Sequence, residues 1–313
     1  MFVFLIILLC LLALCFAIGG YTFFVACGRG KEIDWTDEAA VKATPFGQFY
    51  TYIAQGRQFL REHNAQDVYM TNREGLRLHA VWVPASNAKG TIIFAHGFRS
   101  CGLSDFSLAL ELYHNLDMNI LLLTQRTHSP SEGKYITFGV TESRDMRDWI
   151  DYHNANLGKF PILCSGLSMG ASTVMYLAGM DLPENVRGFV ADCGFTSPYE
   201  IISHVFTQKM HLPAWPVMWA ADLFARVFAG FSLKEYHTTQ TLQKNTRPIL
   251  LVHGLEDDFV PAEMTRRSFE ACGGEKHLLL VEEAGHGISF LVARQAYLEQ
   301  IHQLVEKVQN IEL

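Results

Sequence analysis

A serine lies between two glycines in the segment Gly166-Leu-Ser168-Met-Gly170, which follows an apolar run and precedes a segment with helical character. Glycines at these positions permit a sharp turn that holds the serine hydroxyl group exposed above a sheet. A serine hydroxyl is a weak nucleophile unless a base takes its proton, and the base needs an acid to orient it. The segment therefore predicts a nucleophilic Ser168 if a histidine and a carboxylate meet it in the folded chain.

The chain contains a histidine and three candidate carboxylates at suitable places. His286 lies between two glycines after one apolar run, and the adjacent Asp257 and Asp258 follow another. Asp192, at the end of an earlier apolar run, is the third candidate for the acid. Serine, acid and histidine follow one another in this order in one type of α/β sheet, each just beyond the carboxyl end of a strand. The residues alone leave the choice of carboxylate open.

Acyl transfer also needs hydrogen-bond donors for the oxyanion that develops on the substrate. The backbone N–H of Met169, next to the nucleophile, is one expected donor. The second donor is expected from the loop after the run Thr91–Ala95, which reads His96-Gly97-Phe98. Gly97 lets the backbone approach closely, so the N–H of Phe98 is the predicted second donor.

Short apolar runs alternate with helical patterns along most of the chain. This alternation predicts a sheet that positions the serine, the acid and the histidine at one edge. Continuous apolar strands are typical of a parallel sheet that is covered by helices on both faces. The predicted strands are Val68–Thr71, Leu76–Val83, Thr91–Ala95, Asn119–Thr124, Pro161–Cys164, Val186–Ala191, Pro248–Val252 and His277–Val281. The predicted fold class is therefore α/β, with a mostly parallel, doubly wound sheet.

Residues 196–246 interrupt this alternation. The interval has no credible strand and is rich in bulky apolar residues, among them Trp215 and Trp219. A long insertion between two strands emerges near the ligand-binding edge of such a sheet. We expect a mobile helical cap whose aromatic side chains line a substrate pocket. The alternatives are extra helices packed on the core and a surface that touches a bilayer.

These motifs, taken together, resemble the α/β-hydrolase superfamily, and in particular its membrane-anchored serine aminopeptidase S33-like and BEM46-like enzymes. The resemblance covers roughly residues 66–308 and includes the run His253-Gly-x-x-Asp257-x-x-Val260-Pro261. In these relatives the acid lies four residues after the histidine of that run, so the resemblance favours Asp257. Relatives often carry Asp-x-Arg-x-x-Gly-x-Ser after the fourth strand, whereas residues 124–131 here replace the Asp and the Gly.

The first 27 residues contain no charged side chain. About 20 apolar residues suffice to cross a bilayer, whereas a signal peptide has a basic start and a shorter apolar stretch. The sequence therefore predicts an uncleaved single-pass anchor over residues 1–27, with a cleaved signal peptide as the alternative. The first charges, Arg29 and Lys31, favour a cytoplasmic catalytic domain. Residues 28–65 are expected to form a helical connector, and residues 66–313 the α/β-hydrolase domain.

Charge and cysteine content exclude other classes of protein. The chain has a net charge of −7 and no basic run, so nucleic-acid binding is not expected. Its seven cysteines form no CxxC pair, and no metal site or cofactor is predicted. The predicted function is hydrolysis of small carboxylic esters through Ser168, Asp257 and His286. A peptidase or amidase with the same residues and a catalytically silent binding protein are the alternatives.

Overall fold

The computed structural model describes residues 2–310. Its strands are β1 (Gln66–Thr71), β2 (Arg77–Val83), β3 (Gly90–Ala95), β4 (Met118–Thr124), β5 (Ile162–Leu167), β6 (Val186–Asp192), β7 (Ile249–Gly254) and β8 (Lys276–Val281). They form one sheet in the order β1-β2-β4-β3-β5-β6-β7-β8. β2 is antiparallel to both β1 and β4, and all neighbours from β4 to β8 are parallel. This is the mostly parallel sheet predicted from the continuous apolar runs.

The helices that connect and cover these strands are α1 (Phe2–Cys27), α2 (Glu38–Lys42), α3 (Tyr50–Glu62), α4 (Gly102–Asn115), α5 (Val140–Asn156), α6 (Met169–Leu177), α7 (Pro198–Met210), α8 (Val217–Phe224), α9 (Thr238–Thr241), α10 (Ala262–Ala271), α11 (Ser289–Val292) and α12 (Arg294–Asn310). One sheet face packs against α4 and α12 through residues such as Phe106 and Leu304. The other face packs against α5 and α6 through Trp149 and Val174. The sheet is thus buried on both sides, as its apolar strands require.

The end of α1 belongs to the core of the folded domain. Phe23 and Cys27 are 1% and 0% exposed and lie in one apolar cluster with Met169, the neighbour of Ser168. The backbone continues this contact, because Ile136 donates its N–H to the carbonyl oxygen of Cys27 at 2.7 Å. Within residues 2–310, α1 is the one helix long and apolar enough to cross a membrane, a test that a signal sequence also passes.

The cap interval 196–246 contains α7, α8 and α9, and α8 packs along α1. The two helices approach closely at Gly19, where an added Cβ would lie 2.5 Å from the Cβ of Ala220. This contact turns Trp219 toward Phe16, with the ring centroids 5.6 Å apart. Since α8 covers α1 instead of the sheet edge, the cap tryptophans lie on the outer surface.

Candidate active site

Ser168 lies at the turn between β5 and α6, where the backbone is tightly constrained. Its φ of 55° is in the left-handed region, which non-glycine residues rarely adopt. A Cβ on Gly170 would lie 1.8 Å from the carbonyl oxygen of Ala95, and one on Gly166 would lie 2.1 Å from that of Gly170. Both glycines are therefore required for the turn, which places the hydroxyl group at the start of a helix.

The structure brings three of the predicted site residues into one hydrogen-bonded chain. The Nε2 atom of His286 lies 2.9 Å from the Oγ atom of Ser168. The Nδ1 atom of the same ring lies 2.7 Å from the Oδ2 atom of Asp257. With Nδ1 protonated and bound to the carboxylate, Nε2 is free to accept the serine proton. The geometry is thus that of a nucleophile, a general base and an orienting acid.

Asp257 is held as an anion by its surroundings. Its Oδ1 atom accepts the backbone N–H groups of Phe259 and Val260 at 2.9 and 2.8 Å. Its Oδ2 atom lies 3.2 Å from the Nε2 atom of the buried His253. Burial acts to raise the pKa of Asp257, but hydrogen bonds from His253, His286 and Val260 outweigh it and hold the pKa well below its usual range. The carboxylate can therefore stabilise a positive charge on the imidazole of His286.

The other two candidate carboxylates have different surroundings. The side chain of Asp258 is exposed to solvent. Asp192 is 3% exposed, and its Oδ1 atom has no hydrogen-bond partner among residues 2–310. Burial raises the pKa of Asp192 to about 6. Of the three, Asp257 is the carboxylate that hydrogen-bonds to His286.

The two predicted oxyanion donors lie in segments whose other polar groups are occupied. Gly97 donates its N–H to Asp105 at 2.6 Å, and Arg99 donates its N–H to the Nε2 atom of His128 at 3.1 Å. The N–H groups of Phe98 and Met169 have no acceptor in the part of the chain that the structure describes. One of these donors is next to Ser168 in the chain and the other lies in the loop after β3, and an oxyanion on the attacked carbonyl requires such donors.

Three residues that support the site were not predicted in this role. Asp105, in the first turn of α4, fixes the loop that carries Phe98, and burial raises its pKa to about 6. His253 contacts Asp257, and the guanidinium group of Arg99 donates to the carbonyl oxygen of Val25 at 2.7 Å. The place of Asp105 in the first turn of the helix after this loop was a signal in the sequence that could have indicated this role. No sequence signal indicated the contact of Arg99 with α1, because the two residues lie 74 positions apart in the chain.

One group of potential metal ligands within residues 2–310 lies close enough together to bind an ion, namely Cys193, Asp257 and His286. Both ring nitrogens of His286 already have partners in Ser168 and Asp257. Burial raises the pKa of Cys193 well above its usual value, which disfavours the thiolate form. A protonated thiol is a poor metal ligand, and the group is better suited to acid–base chemistry.

A cavity of about 450 Å³ opens beside Ser168 and His286. Most of its lining is apolar and comes from the connector, α4 and the loops near β7 and β8. These lining residues include Pro45, Phe46, Phe49, Tyr52, Phe106, Leu108, Leu112, Phe259, Phe290 and Leu291. No residue of 196–246 lines it, so the prediction that cap aromatics form the pocket is wrong. The reason is that α8 packs on α1, which leaves the connector to cover this side of the site.

Comparison with known proteins identifies the family. The sequence profile of the prolyl oligopeptidase family matches residues 137–310, more than half of the chain. The chain belongs to the prolyl oligopeptidase family. It is also 26% identical to the YqkD protein of Bacillus subtilis over 237 residues, which cover 75% of this chain and 77% of that protein.

Solved structures agree with this family on the fold. An esterase of Pyrococcus furiosus, Pf2001, superposes with a TM-score of 0.65 at 20% identity, over 80% of this chain and 96% of the esterase. An acylaminoacyl peptidase of Pyrococcus horikoshii superposes with a TM-score of 0.58 at 14% identity, over 79% of this chain and 42% of that chain. The predicted α/β-hydrolase fold is confirmed.

This prolyl oligopeptidase family member is a serine hydrolase. The matched range 137–310 contains Ser168, Asp257 and His286, whereas Phe98 and the connector lie before it. The family match thus supports the α/β-hydrolase superfamily that the motifs indicated. The narrower S33-like and BEM46-like subgroup stays a prediction.

Proposed function

We propose that this serine hydrolase cleaves carboxylic esters with apolar acyl groups while anchored in a membrane by α1. The observation that carries the proposal is the hydrogen-bonded chain from Ser168 through His286 to Asp257 at the mouth of an apolar cavity. In this proposal residues 1–27 form the anchor, residues 28–65 the connector, and residues 66–313 the catalytic domain with its cap at 196–246.

The proposed reaction follows from the positions of the donors and acceptors. The Oγ atom of Ser168 attacks the acyl carbon while Nε2 of His286 accepts its proton, and Asp257 stabilises the imidazolium that forms. The N–H groups of Phe98 and Met169 bind the oxyanion of the tetrahedral intermediate. His286 then donates the proton to the leaving alcohol, and water hydrolyses the acyl-enzyme by the same steps.

The cavity supports an apolar acyl group as the bound part of the substrate. Its wall is mostly apolar and includes seven phenylalanine and four leucine residues, and burial of an apolar chain contributes about 25 cal/mol per Å² of surface removed from water. The half-buried Asp105 already accepts hydrogen bonds from Gly97 and Ser100. These bonds assign the carboxyl group to holding the loop of Phe98.

The anchor is proposed to stay attached to the mature protein. Cleavage after residue 27 would remove Phe23 and Cys27, which are fully buried in the cluster that contains Met169. Emptying a buried Phe site typically costs about 3–5 kcal/mol. The proposed cytoplasmic side follows from Arg29 and Lys31. Mass spectrometry of the mature N-terminus and protease protection in intact cells test both parts. A shortened N-terminus or digestion in intact cells would contradict them.

The central experiment compares the full chain in detergent micelles with Ser168→Ala. We expect labelling by a fluorophosphonate and turnover of p-nitrophenyl esters in the wild type, and neither in the variant. Ser129→Ala is the matched control, because Ser129 is solvent-exposed. Labelling of Ser168→Ala at the wild-type rate would disprove the role of Ser168.

The family match makes peptide or amide hydrolysis the second candidate. Esters and aminoacyl amides that share one acyl group separate the two activities, because only the leaving group differs. We expect a much higher kcat/KM for the ester, rising with acyl chain length as the apolar cavity fills. A higher kcat/KM for the amide would instead identify a peptidase.

A further inference from the structure

The outer side of the cap exposes large apolar side chains. Six residues between 210 and 228 are 49–74% exposed and together form what we call the cap patch: Met210, Leu212, Trp215, Trp219, Val227 and Phe228. An isolated exposed apolar residue is ordinary, but six large ones within one short segment of the cap mark a candidate interaction surface. The structure thus leaves this side of α8 and its flanking segments available to a partner.

The cap patch is continuous with the apolar surface of α1. Trp219 packs edge-on against Phe16, and Phe228 lies 5.5 Å from the ring of Phe24. The exposed face of α1 continues beside this contact with Tyr21 and Val25. The apolar surface of the predicted membrane-spanning helix thus meets the cap at these two ring contacts. The exposed Arg226, which precedes Val227, forms a salt bridge with Asp222 at 2.9 Å.

The level of the cap patch relative to the bilayer follows from the charge pattern of α1. The helix has no charge before Arg29, so its apolar length includes the turns that contact α8. Phe24 and Phe16 precede Gly28 by about 6 and 18 Å along the axis, at 1.5 Å per residue. Side chains that touch these two residues share their depth. Interfacial helices bury their apolar face about 5–10 Å into the headgroup and acyl boundary, and Trp is enriched there.

We propose that the cap patch is a second membrane contact, which lies in the lipid leaflet on the side from which the catalytic domain emerges. The proposal rests on the anchor role assigned above to α1. A single helix leaves a domain free to rotate about the helix axis. A second contact beside it fixes the face that the domain turns toward the lipid.

Tryptophan fluorescence in brominated lipid tests the proposal on the full chain. The protein is reconstituted in phosphatidylcholine vesicles with and without bromine on the acyl chains, which quenches tryptophans in contact with them. We expect bromine to reduce the emission of the wild type, and most of this reduction to disappear in Trp215→Phe/Trp219→Phe. Trp149→Phe is the control, because Trp149 is buried in the sheet core and its loss leaves the quenchable emission unchanged.

A tryptophan placed on α1 separates failure of the cap proposal from failure of the anchor. Leu12→Trp in the double-Phe background is quenched if α1 is inserted. If it is quenched but Trp215 and Trp219 are not, and aqueous acrylamide reaches them, the cap patch faces water and the proposal is wrong. If neither brominated lipid nor acrylamide quenches Trp215 and Trp219 and the protein sediments as a dimer, a second copy of the chain covers the patch and the proposal is wrong. If Leu12→Trp is not quenched, the anchor and the cap proposal fall together.

Discussion

Asp257 and Asp258 are neighbours in the chain, yet their carboxylates have opposite environments. Two backbone N–H groups and two imidazoles surround Asp257, whereas Asp258 faces solvent. The residues alone left this choice open, because adjacency says only that the two side chains point apart. The turn of residues 257–260, which folds its N–H groups back onto Oδ1 of Asp257, distinguishes them in the structure.

We expect Asp257→Asn to lower kcat far more than Asp258→Asn. An amide at residue 257 cannot hold the imidazole of His286 in the productive tautomer, and such a loss reaches about 10⁴-fold in kcat. The exposed Asp258 is the matched control, with a change of less than about threefold expected from the weak effect of a distant surface charge. Ester kinetics of the two variants check this, and a larger loss in Asp258→Asn would show that the acid is misassigned.

Asp192 gives a prediction about pH and stability. Its pKa is raised by burial to about 6, above the usual value near 3.9, so the folded state loses stability as pH rises from about 4 through 6. Asp192→Asn lacks this titration. Relative to the wild type, its stability should therefore improve by about 2 kcal/mol between pH 4 and pH 7. Urea unfolding at both pH values measures this, with the exposed Asp181→Asn as control.

The same Asp192→Asn variant tests whether Asp192, and not Asp257, is the acid that orients His286. We expect it to keep ester turnover, because His286 is bound by Asp257. A crippling loss of kcat in a variant that is still folded would assign the acid to the end of β6 instead.

At the scale of elements, the strands were predictable and several helix contacts were not. An apolar run such as Thr91–Ala95 must be covered on both faces, so its sequence predicts a central strand, as β3 proves to be. α12 was missed although Ile301, Leu304, Val305 and Val308 carry a helical spacing. The packing of α8 on α1 could not be predicted, because an apolar helix face indicates that the face is buried but not which element buries it. The connector's place in the cavity wall was missed for the same reason.

Arg99 joins two of these elements. Its guanidinium group donates to the carbonyl oxygens of Val25 and Gly28 at the end of α1, at 2.7 and 3.2 Å. Its backbone has a φ of 53° and follows Phe98, the proposed oxyanion donor. The side chain therefore helps to hold a conformation of the loop that a non-glycine residue does not adopt readily.

We expect Arg99→Ala to reduce kcat by about tenfold with little change in KM, because loss of a well-placed oxyanion donor costs up to about 10²–10³. Arg99→Lys keeps one donor toward these carbonyl oxygens and should recover part of the rate. Steady-state kinetics of both variants, with Tm measured in parallel, provide the test. A lower Tm at unchanged kcat would limit Arg99 to a structural role.

At the scale of the whole molecule, the end of α1 and the catalytic domain share one apolar core. Deletion of residues 2–27 should destabilise the domain strongly, since it removes Phe23 and Cys27 from the cluster around Met169. Deletion of residues 2–18 keeps both side chains and should preserve Tm and ester turnover. Thermal unfolding of the two truncated proteins in detergent compares them directly. Equal stability would show that the end of α1 contributes nothing to the fold.

The buried end of α1 also sets an order of events during synthesis. The ribosome makes Phe23 and Cys27 before any strand of the sheet, yet their neighbours Met169, Phe195 and Met218 come from the middle of the chain. The last turns of the first helix therefore stay uncovered until those later segments are made. Completion of the core beside Ser168 thus depends on the first helix that is made, because that core closes around Phe23 and Cys27.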